Sequence, residues 1–268
     1  MKKMFATALL LAAATLLTAG AAAASIKGDD LRTMKHVSLE MLHSGYWIEM
    51  EAGSGKVLMT EEEISSFNKE MLDALPGLLY DLENLPETIS GSELAGMIGW
   101  KVPGETYYIR GVEAGADYWK ALEERSNLAA IAETNEVSYG VVTERSDLKI
   151  LPTSDFISLD PALLDRDEFQ NSGIHLGDPV RILHTSLDGN WLFVQNYHYT
   201  GWIRAEAVAR CSDRQQWLEV LEEQELLVVT GDKIRLEPDP YNPLVSELEL
   251  SMGTVLRLTR QEPLPATV

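Results

Sequence analysis

Between Asp29 and about Leu128 the apolar positions recur at helical spacing. Leu31, Met34, Val37 and Met41 follow Asp30 in three- and four-residue steps, and Ile64, Phe67, Met71 and Leu75 share one face behind Thr60-Glu61-Glu62-Glu63. That tetrapeptide reads as a capping box, in which the hydroxyl and the third-position carboxylate each satisfy a backbone N–H left open at a helix start. Ser90 with Glu93 is a second box, ahead of Leu94, Met97 and Ile98, and Asp117 is placed to cap a helix carrying Trp119 and Leu122. The stretches between, "GYWIEMEAGSGKVLM" and "YDLENLPETISG", read as turn-rich and partly extended.

The period changes near Val137. "VSYGVVTE", "DPVRILHTS", "NWLFVQNY" and "YTGWIRAEAVA" are short β-rich runs broken by Gly, Asp and Pro. Leu187-Asp188-Gly189-Asn190 predicts a hairpin turn, since glycine tolerates the positive φ that tight turns demand. Alternation puts Trp191 and Phe193 on one face of their strand and Leu192 and Val194 on the other. About five such strands in roughly 75 residues fit a small closed barrel, and closure removes exposed sheet edges.

After this barrel, Ser212-Asp213-Arg214-Gln215 predicts a short helix capped by Ser212 and carrying Trp217, Leu218 and Leu221. A weak repeat follows: "VVTERSDLKILPT" from Val141 is echoed by "VVTGDKIRLEPD" from Val228, and "LGDPVRIL" from Leu176 by "SMGTVLRL" from Ser251. The first unit continues from Gly177 to Val208, whereas the sequence reaches Val268 soon after Gly253. Equivalents of the Trp191 strand and the Gly201-Trp202-Ile203 strand are missing, so the expectation is an incomplete second barrel, either in a truncated product or completed by something else.

The expected class is therefore α+β. Residues 1–24 form a leader, 25–132 a mostly helical domain, 133–211 a small SH3-like β-barrel, 212–224 a linking helix, and 225–268 a partial second SH3-like barrel. The leader rests on Lys2 and Lys3, the uncharged apolar run Met4–Ala24, and the small residues Ala22-Ala23-Ala24 ahead of Ser25, the pattern that signal peptidase cleaves. An uncleaved membrane anchor is the alternative. Ala21 stands where a lipidated cysteine would be, so the expected location is secreted or cell envelope.

Charge narrows the partners. The formal net charge of −20 repels nucleic acid and anionic wall polymers, so any wall binding must come from shaped pockets. The one cysteine, Cys211, rules out an intramolecular disulfide and a Cys-rich zinc site, and the five histidines lack HExxH spacing. No cofactor or metal is expected; "GSGK" at Gly53–Lys56 is too short for a phosphate loop and reads as a turn.

"YGVVTERSDLKILPTSD" from Tyr139, followed by "LGDPVRILHTSLDGNWLFVQNYHYTGWIRAEAVA" from Leu176, is similar to the first bacterial SH3 domain of a multidomain NlpC-type cell-wall peptidase family. The resemblance rests on Tyr139, Gly140, Arg145, Leu148, Lys149, Pro152 and Thr153, then on Pro179, Val180, Ser186, Asp188, Gly189, Trp191, Gly201 and Trp202. The upstream "GYWIEMEAGSGKVLMTEEEISSFN" and "YDLENLPETISGSEL" resemble the helical N-terminal domain of that family. The resemblance implies a secreted protein acting on peptidoglycan stem peptides. In that family a thiol peptidase domain with an Asp-Cys-Ser-Gly-like motif cleaves between γ-D-glutamate and a diamino acid, and the first SH3 domain shapes its cleft. This chain has no such motif, so what carries over is an accessory, non-catalytic role; the partner is a stem peptide or a peptidase domain. The alternative is a standalone wall-binding or interaction module.

Four residues are candidates for substrate binding. Tyr139 and Arg145 lie on the side of the barrel that the resemblance places against the cleft; Trp191 and Tyr199, with Tyr197 and Trp202, belong to an aromatic hairpin suited to stacking on a peptide or glycan. Core and turn packing is the competing explanation for each. Cys211 precedes a helix start, which lowers a thiol pKa, but Arg210-Cys211-Ser212-Asp213 lacks the family's flanking residues and has no histidine near in sequence, so it reads as structural. The runs Glu61–Glu63, Glu123-Glu124 and Glu222-Glu223 read as helix-end and solvent-facing carboxylates, not acid–base pairs.

Overall fold

The structure is a computed structural model that describes residues 35–258, except 52, 54, 100–103, 164 and 223–224. The expected leader, with Leu31 and Met34, lies outside the described residues, as do residues 259–268. The chain divides into two compact units, one up to Asn68 and one from Lys69.

In the first unit a 3-10 turn over Leu39–Leu42 leads into helix α1 (Ser44–Met50). Val37 precedes both, and "GYWIEM" is helical where turns were expected. No proline or β-branched run opposes a helix there, and Trp47 Nε1 donates to the Met41 carbonyl at 2.8 Å, fixing its start. Helix α2 (Glu61–Ala74) begins at the capping box: Glu63 N donates to Thr60 Oγ1 at 3.3 Å, and Thr60 N to Glu63 Oε2 at 2.7 Å.

The second unit continues with β1 (Thr88–Ser90), α3 (Gly91–Ile98), β2 (Tyr108–Ile109), β3 (Val112–Glu113), α4 (Ala116–Arg125) and β4 (Thr134–Glu136). Ser90 Oγ accepts from Glu93 N at 3.3 Å and caps α3, whose Leu94 and Ile98 are buried. Gly115, not Asp117, is the N-cap of α4; Asp117 sits in the first turn, where its charge suits the helix dipole.

The barrel strands are β5 (Ser138–Val142), β6 (Ser146–Lys149), β7 (Ile157–Ser158), β8 (Gln170–Ile174), β9 (Pro179–Thr185), β10 (Trp191–Gln195), β11 (Thr200–Arg204) and β12 (Val208–Arg210). Seven of them form one sheet in the order β12-β5-β9-β10-β11-β6-β8, while β7 joins the β2–β3 hairpin. The sheet coils round an interior of Val142, Leu148, Ile174, Val180, Ile182, Leu192, Val194, Ile203 and Val208. Its edges β12 and β8 do not pair with each other, so interior packing and not a closed ladder joins them.

The outer face of this sheet is also dry. Tyr139, Leu183, Trp191, Phe193 and Trp202 form one cluster with Leu82, Ile89, Leu94 and Ile98 of the preceding segment and with Trp217. Strand β10 is thus buried on both faces. The sequence reading puts a boundary at residue 132; in the structure a single hydrophobic core crosses it. Burial of side chains this large stabilises by about 1.5–3 kcal/mol each, enough to hold helices and sheet as one body.

Helix α5 (Arg214–Leu221) follows the barrel. Its cap is Asp213, one residue later than expected: Asp213 Oδ1 accepts from Gln216 N at 2.8 Å, and Gln216 Oε1 accepts from Ser212 N at 2.7 Å. The box is therefore Asp213 with Gln216, because the carboxylate is the stronger acceptor for the open N–H groups.

Four more strands complete the described fold: β13 (Leu226–Val228), β14 (Lys233–Arg235), β15 (Glu249–Ser251) and β16 (Val255–Arg257), paired as β13–β16 and β14–β15. They repeat the geometry of the first barrel. Val228 pairs with Val255 and Leu227 with Leu256, as Val141 pairs with Pro179 and Gly140 with Val180. Gly253 N donates to Val229 O at 2.8 Å and Val229 N to Thr254 O at 2.9 Å, matching Gly177 N to Val142 O at 2.8 Å and Val142 N to Asp178 O at 3.0 Å. Both glycines have positive φ, 87° at Gly177 and 85° at Gly253.

Candidate functional site

The four sequence-chosen residues do not meet on one surface. Tyr139 and Trp191 are each 4 % exposed and belong to the core beneath the helices. The Tyr139 ring lies 4.9 Å from that of Trp217, and its hydroxyl sits near the guanidinium groups of Arg181 and Arg214 without a well-formed hydrogen bond. Burial, followed by the Glu87 carboxylate, pushes its pKa up. Trp191 lies under the Arg204 guanidinium, 5.5 Å from its ring centroid. Arg145 is exposed in the β5–β6 turn. Tyr199 is 43 % exposed in the β10–β11 turn, which Asn196 Oδ1 fixes by accepting from His198 N at 3.0 Å and Tyr199 N at 2.8 Å. The aromatic alternation in β10 thus separates two buried faces, where the sequence reading allowed a stacking groove.

Cys211 is half-buried and packs against the same core. Its N–H donates to the Tyr139 carbonyl at 2.9 Å, prolonging the β12–β5 ladder. Burial, and then the Asp213 carboxylate, raises the thiol pKa, the opposite of what a thiolate nucleophile needs. Trp202 is buried beside Phe193, and its indole N–H finds no partner among the described residues.

The concave feature of the second unit lies elsewhere. The last turns of α2, the loop from Pro76 to Asp81, Leu85 and the outer side of α3 enclose a cleft of about 530 Å³. Leu72, Leu85 and Met97 supply apolar walls, while Asp73, Asp81 and Glu93 supply carboxylates against the single cation Lys69. The loop is held from both sides. Tyr80 Oη donates to Gly77 O at 2.9 Å, and Tyr80 N donates to Tyr197 O at 3.0 Å, so the cleft and the exposed Tyr199 turn share a support. Gly77 takes φ 82°, a conformation that a side chain would strain. The carbonyl end of α2 adds partial negative charge. Apolar walls with net negative potential suit a ligand that combines short aliphatic groups with an amine.

Sequence reasoning did not find this cleft, because its walls come from three segments without a common motif. Among the described residues, no group of three or more His, Cys, Asp or Glu side chains is placed to hold a metal ion, and no helix is long and apolar enough to cross a membrane.

Comparison with known proteins places the barrel. Residues 164–204 match the model of an SH3 domain of the SH3b1 type. Among solved structures, the chain is similar to one described as a novel NlpC/P60 endopeptidase from Photobacterium damselae subsp. piscicida, with 16 % identity and a TM-score of 0.58. The match covers 76 % of this chain and 48 % of the other, so the chain spans about half of that protein's length. At this identity the likeness is one of fold. A search of curated proteins found no match.

Proposed function

We propose that the chain is the non-catalytic, SH3-bearing portion of a secreted or envelope-located cell-wall peptidase, and that it recognises peptidoglycan stem peptides for a thiol peptidase domain. The observation that carries this reading is the reach of the fold likeness: it extends over 76 % of the chain, well beyond the residues of the SH3 match, and so is not confined to the barrel but takes in part of the α3-bearing segment that roofs the outer face of the sheet. The carboxylate-lined cleft supports it chemically. A stem peptide offers short aliphatic side chains and the amine of a diamino acid, which Leu72, Leu85 and Met97 and then Asp73, Asp81 and Glu93 would accommodate. Hydrolysis is assigned to the peptidase domain, because Cys211 is half-buried against the core and burial and the Asp213 carboxylate push its thiol pKa up.

The second reading is a standalone wall-binding or interaction module, which the same cleft would serve. Co-sedimentation with purified peptidoglycan tests both. The expected result is retention on the sacculus that falls several-fold when Asp73, Asp81 and Glu93 are replaced by their amides, and that Cys211→Ser leaves intact. Absence of co-sedimentation overturns wall recognition; release of peptide fragments by the purified chain, lost in Cys211→Ser, overturns the non-catalytic assignment.

A further inference from the structure

The cleft between the end of α2 and α3 carries charge that its surroundings leave unbalanced. Asp73, Asp81 and Glu93 line it against Lys69. Among the described residues, none of these three carboxylates is held in an ion pair. The Asp81 carboxylate is fixed in place, because Asn84 Nδ2 donates to its Oδ2 at 2.8 Å. The buried cation Arg181 senses the Glu93 charge, but its guanidinium is committed elsewhere: Nη1 donates to Gln195 Oε1 and Nη2 to the Pro86 carbonyl. Helix α2 has no basic residue in its last turn, so its carbonyl end adds to the negative potential. These charges sit on a cavity of about 530 Å³ with apolar walls at Leu72, Leu85 and Met97, a volume in the range of small-ligand sites.

Resting on the reading that this cleft takes a stem peptide, we propose that it selects among stem peptides by the charge at the end of the diamino acid. It accepts a side chain ending in an amine alone, as in lysine, or in an amine beside an amidated carboxyl, and it disfavours the zwitterionic end of diaminopimelate. All three offer the same amine on a similar aliphatic stem, so the apolar walls do not separate them. A carboxylate on the carbon that bears the amine cancels the attraction and meets Asp73, Asp81, Glu93 and the helix end, with Lys69 as the one cation among the described lining residues. Discrimination thus comes from repulsion of the wrong ligand and not from an added contact to the right one. Asp73, Asp81 and Glu93 are exposed, so the effect is modest and screened by salt.

The probes are three synthetic tripeptides, L-alanyl-γ-D-glutamyl followed by L-lysine, by diaminopimelate, or by diaminopimelate amidated beside its free amine. Each is titrated calorimetrically into the intact protein at low and at physiological salt. The lysine and amidated peptides are expected to bind about fivefold more tightly than the diaminopimelate peptide at low salt, with the gap narrowing as salt rises. In the triple variant Asp73→Asn, Asp81→Asn, Glu93→Gln the ratio is expected to fall to about one. The comparison among ligands leaves the protein unaltered, so a folding defect cannot mimic it. Equal binding of the three peptides, tighter binding of diaminopimelate, or an amidated peptide as weak as the charged one overturns selection by charge while leaving stem-peptide binding standing. A preference that survives in the triple variant also overturns it, by placing the selection outside the cleft. Binding of none of the three overturns the stem-peptide reading, and this proposal with it.

Discussion

The indole Nε1 of Trp217 donates to the Gly140 carbonyl at 3.1 Å, so the helix that follows the barrel is tied to the barrel's first strand. Trp217 is fully buried between the outer face of the sheet and the roof. Trp217→Phe, which keeps most of the packing, is expected to lower stability by about 1 kcal/mol through loss of the indole hydrogen bond, since Gly140 remains paired with Val180 in the β5–β9 ladder. Trp217→Ala is expected to cost about 3–5 kcal/mol because a cavity remains. Urea denaturation of the two variants separates the hydrogen bond from the packing.

Gly140 and Gly201 sit where strands approach too closely for a side chain. A Cβ on Gly140 would meet Ala209 O at 2.8 Å and Val208 Cγ1 at 2.7 Å; one on Gly201 would meet Lys149 O at 2.9 Å and Leu148 Cγ at 2.8 Å. Either alanine substitution is expected to cost about 1–3 kcal/mol through overpacking. Gly189 in the hairpin turn has open space around it but φ 73°, so its alanine variant is expected to cost about 1 kcal/mol through backbone strain alone. Crystal structures or amide shifts of the variants would show displaced strands for the first two and an unmoved sheet for the third.

Lys149 and Asp167 form a buried ion pair. Lys149 Nζ also donates to the Asp155 carbonyl at 3.2 Å, and Asp167 Oδ1 accepts from Phe169 N at 3.0 Å and Ile157 N at 3.3 Å. Removing one partner strands the other in a low-dielectric site, so Lys149→Met or Asp167→Leu alone is expected to cost about 3–5 kcal/mol. The double replacement should recover much of that loss. Additivity of the two single losses in a double-mutant cycle would contradict the pairing.

His184 gives the barrel an acid-sensitive contact. Burial pushes its pKa below the ordinary 6.5, partly opposed by the carbonyls of Asn127 and Ser126. The folded state therefore favours the neutral ring, and the unfolded chain takes up the proton first as pH falls. The stability contributed by His184 is present above 6.5 and is lost as the pH drops from there toward the lower folded-state value. The urea midpoint should fall between pH 7 and pH 5, and His184→Gln should flatten that slope.

Local rules carried far in this sequence. The box at Thr60–Glu63 and the Ser90 cap form as spaced, and the echo of Val141 at Val228 appears as a shared register, because each is decided within a few residues or by repetition. Asp117 and Ser212 each missed the cap by one or two places: Asp213 takes the N–H that Ser212 was expected to bind, and α4 starts at Gly115 with no side-chain cap. Long-range burial was less legible. Alternation in "WLFV" gave the two faces correctly, yet nothing within β10 says that helices cover the second one, so Trp191 read as available when it is core. The cleft is invisible for a similar reason: Leu72, Leu85 and Met97 converge only after the roof has folded.

A strand walled on both sides also sets what can be moved between proteins. Excising the residues of the SH3 match, or even β5 through β12, would lay Trp191, Phe193 and Trp202 open to water, and the excised piece would stick to itself. The smallest graft that keeps its own surface runs from the Tyr80 loop to the end of α5. In gene fusion or chimera building, this barrel travels with its roof.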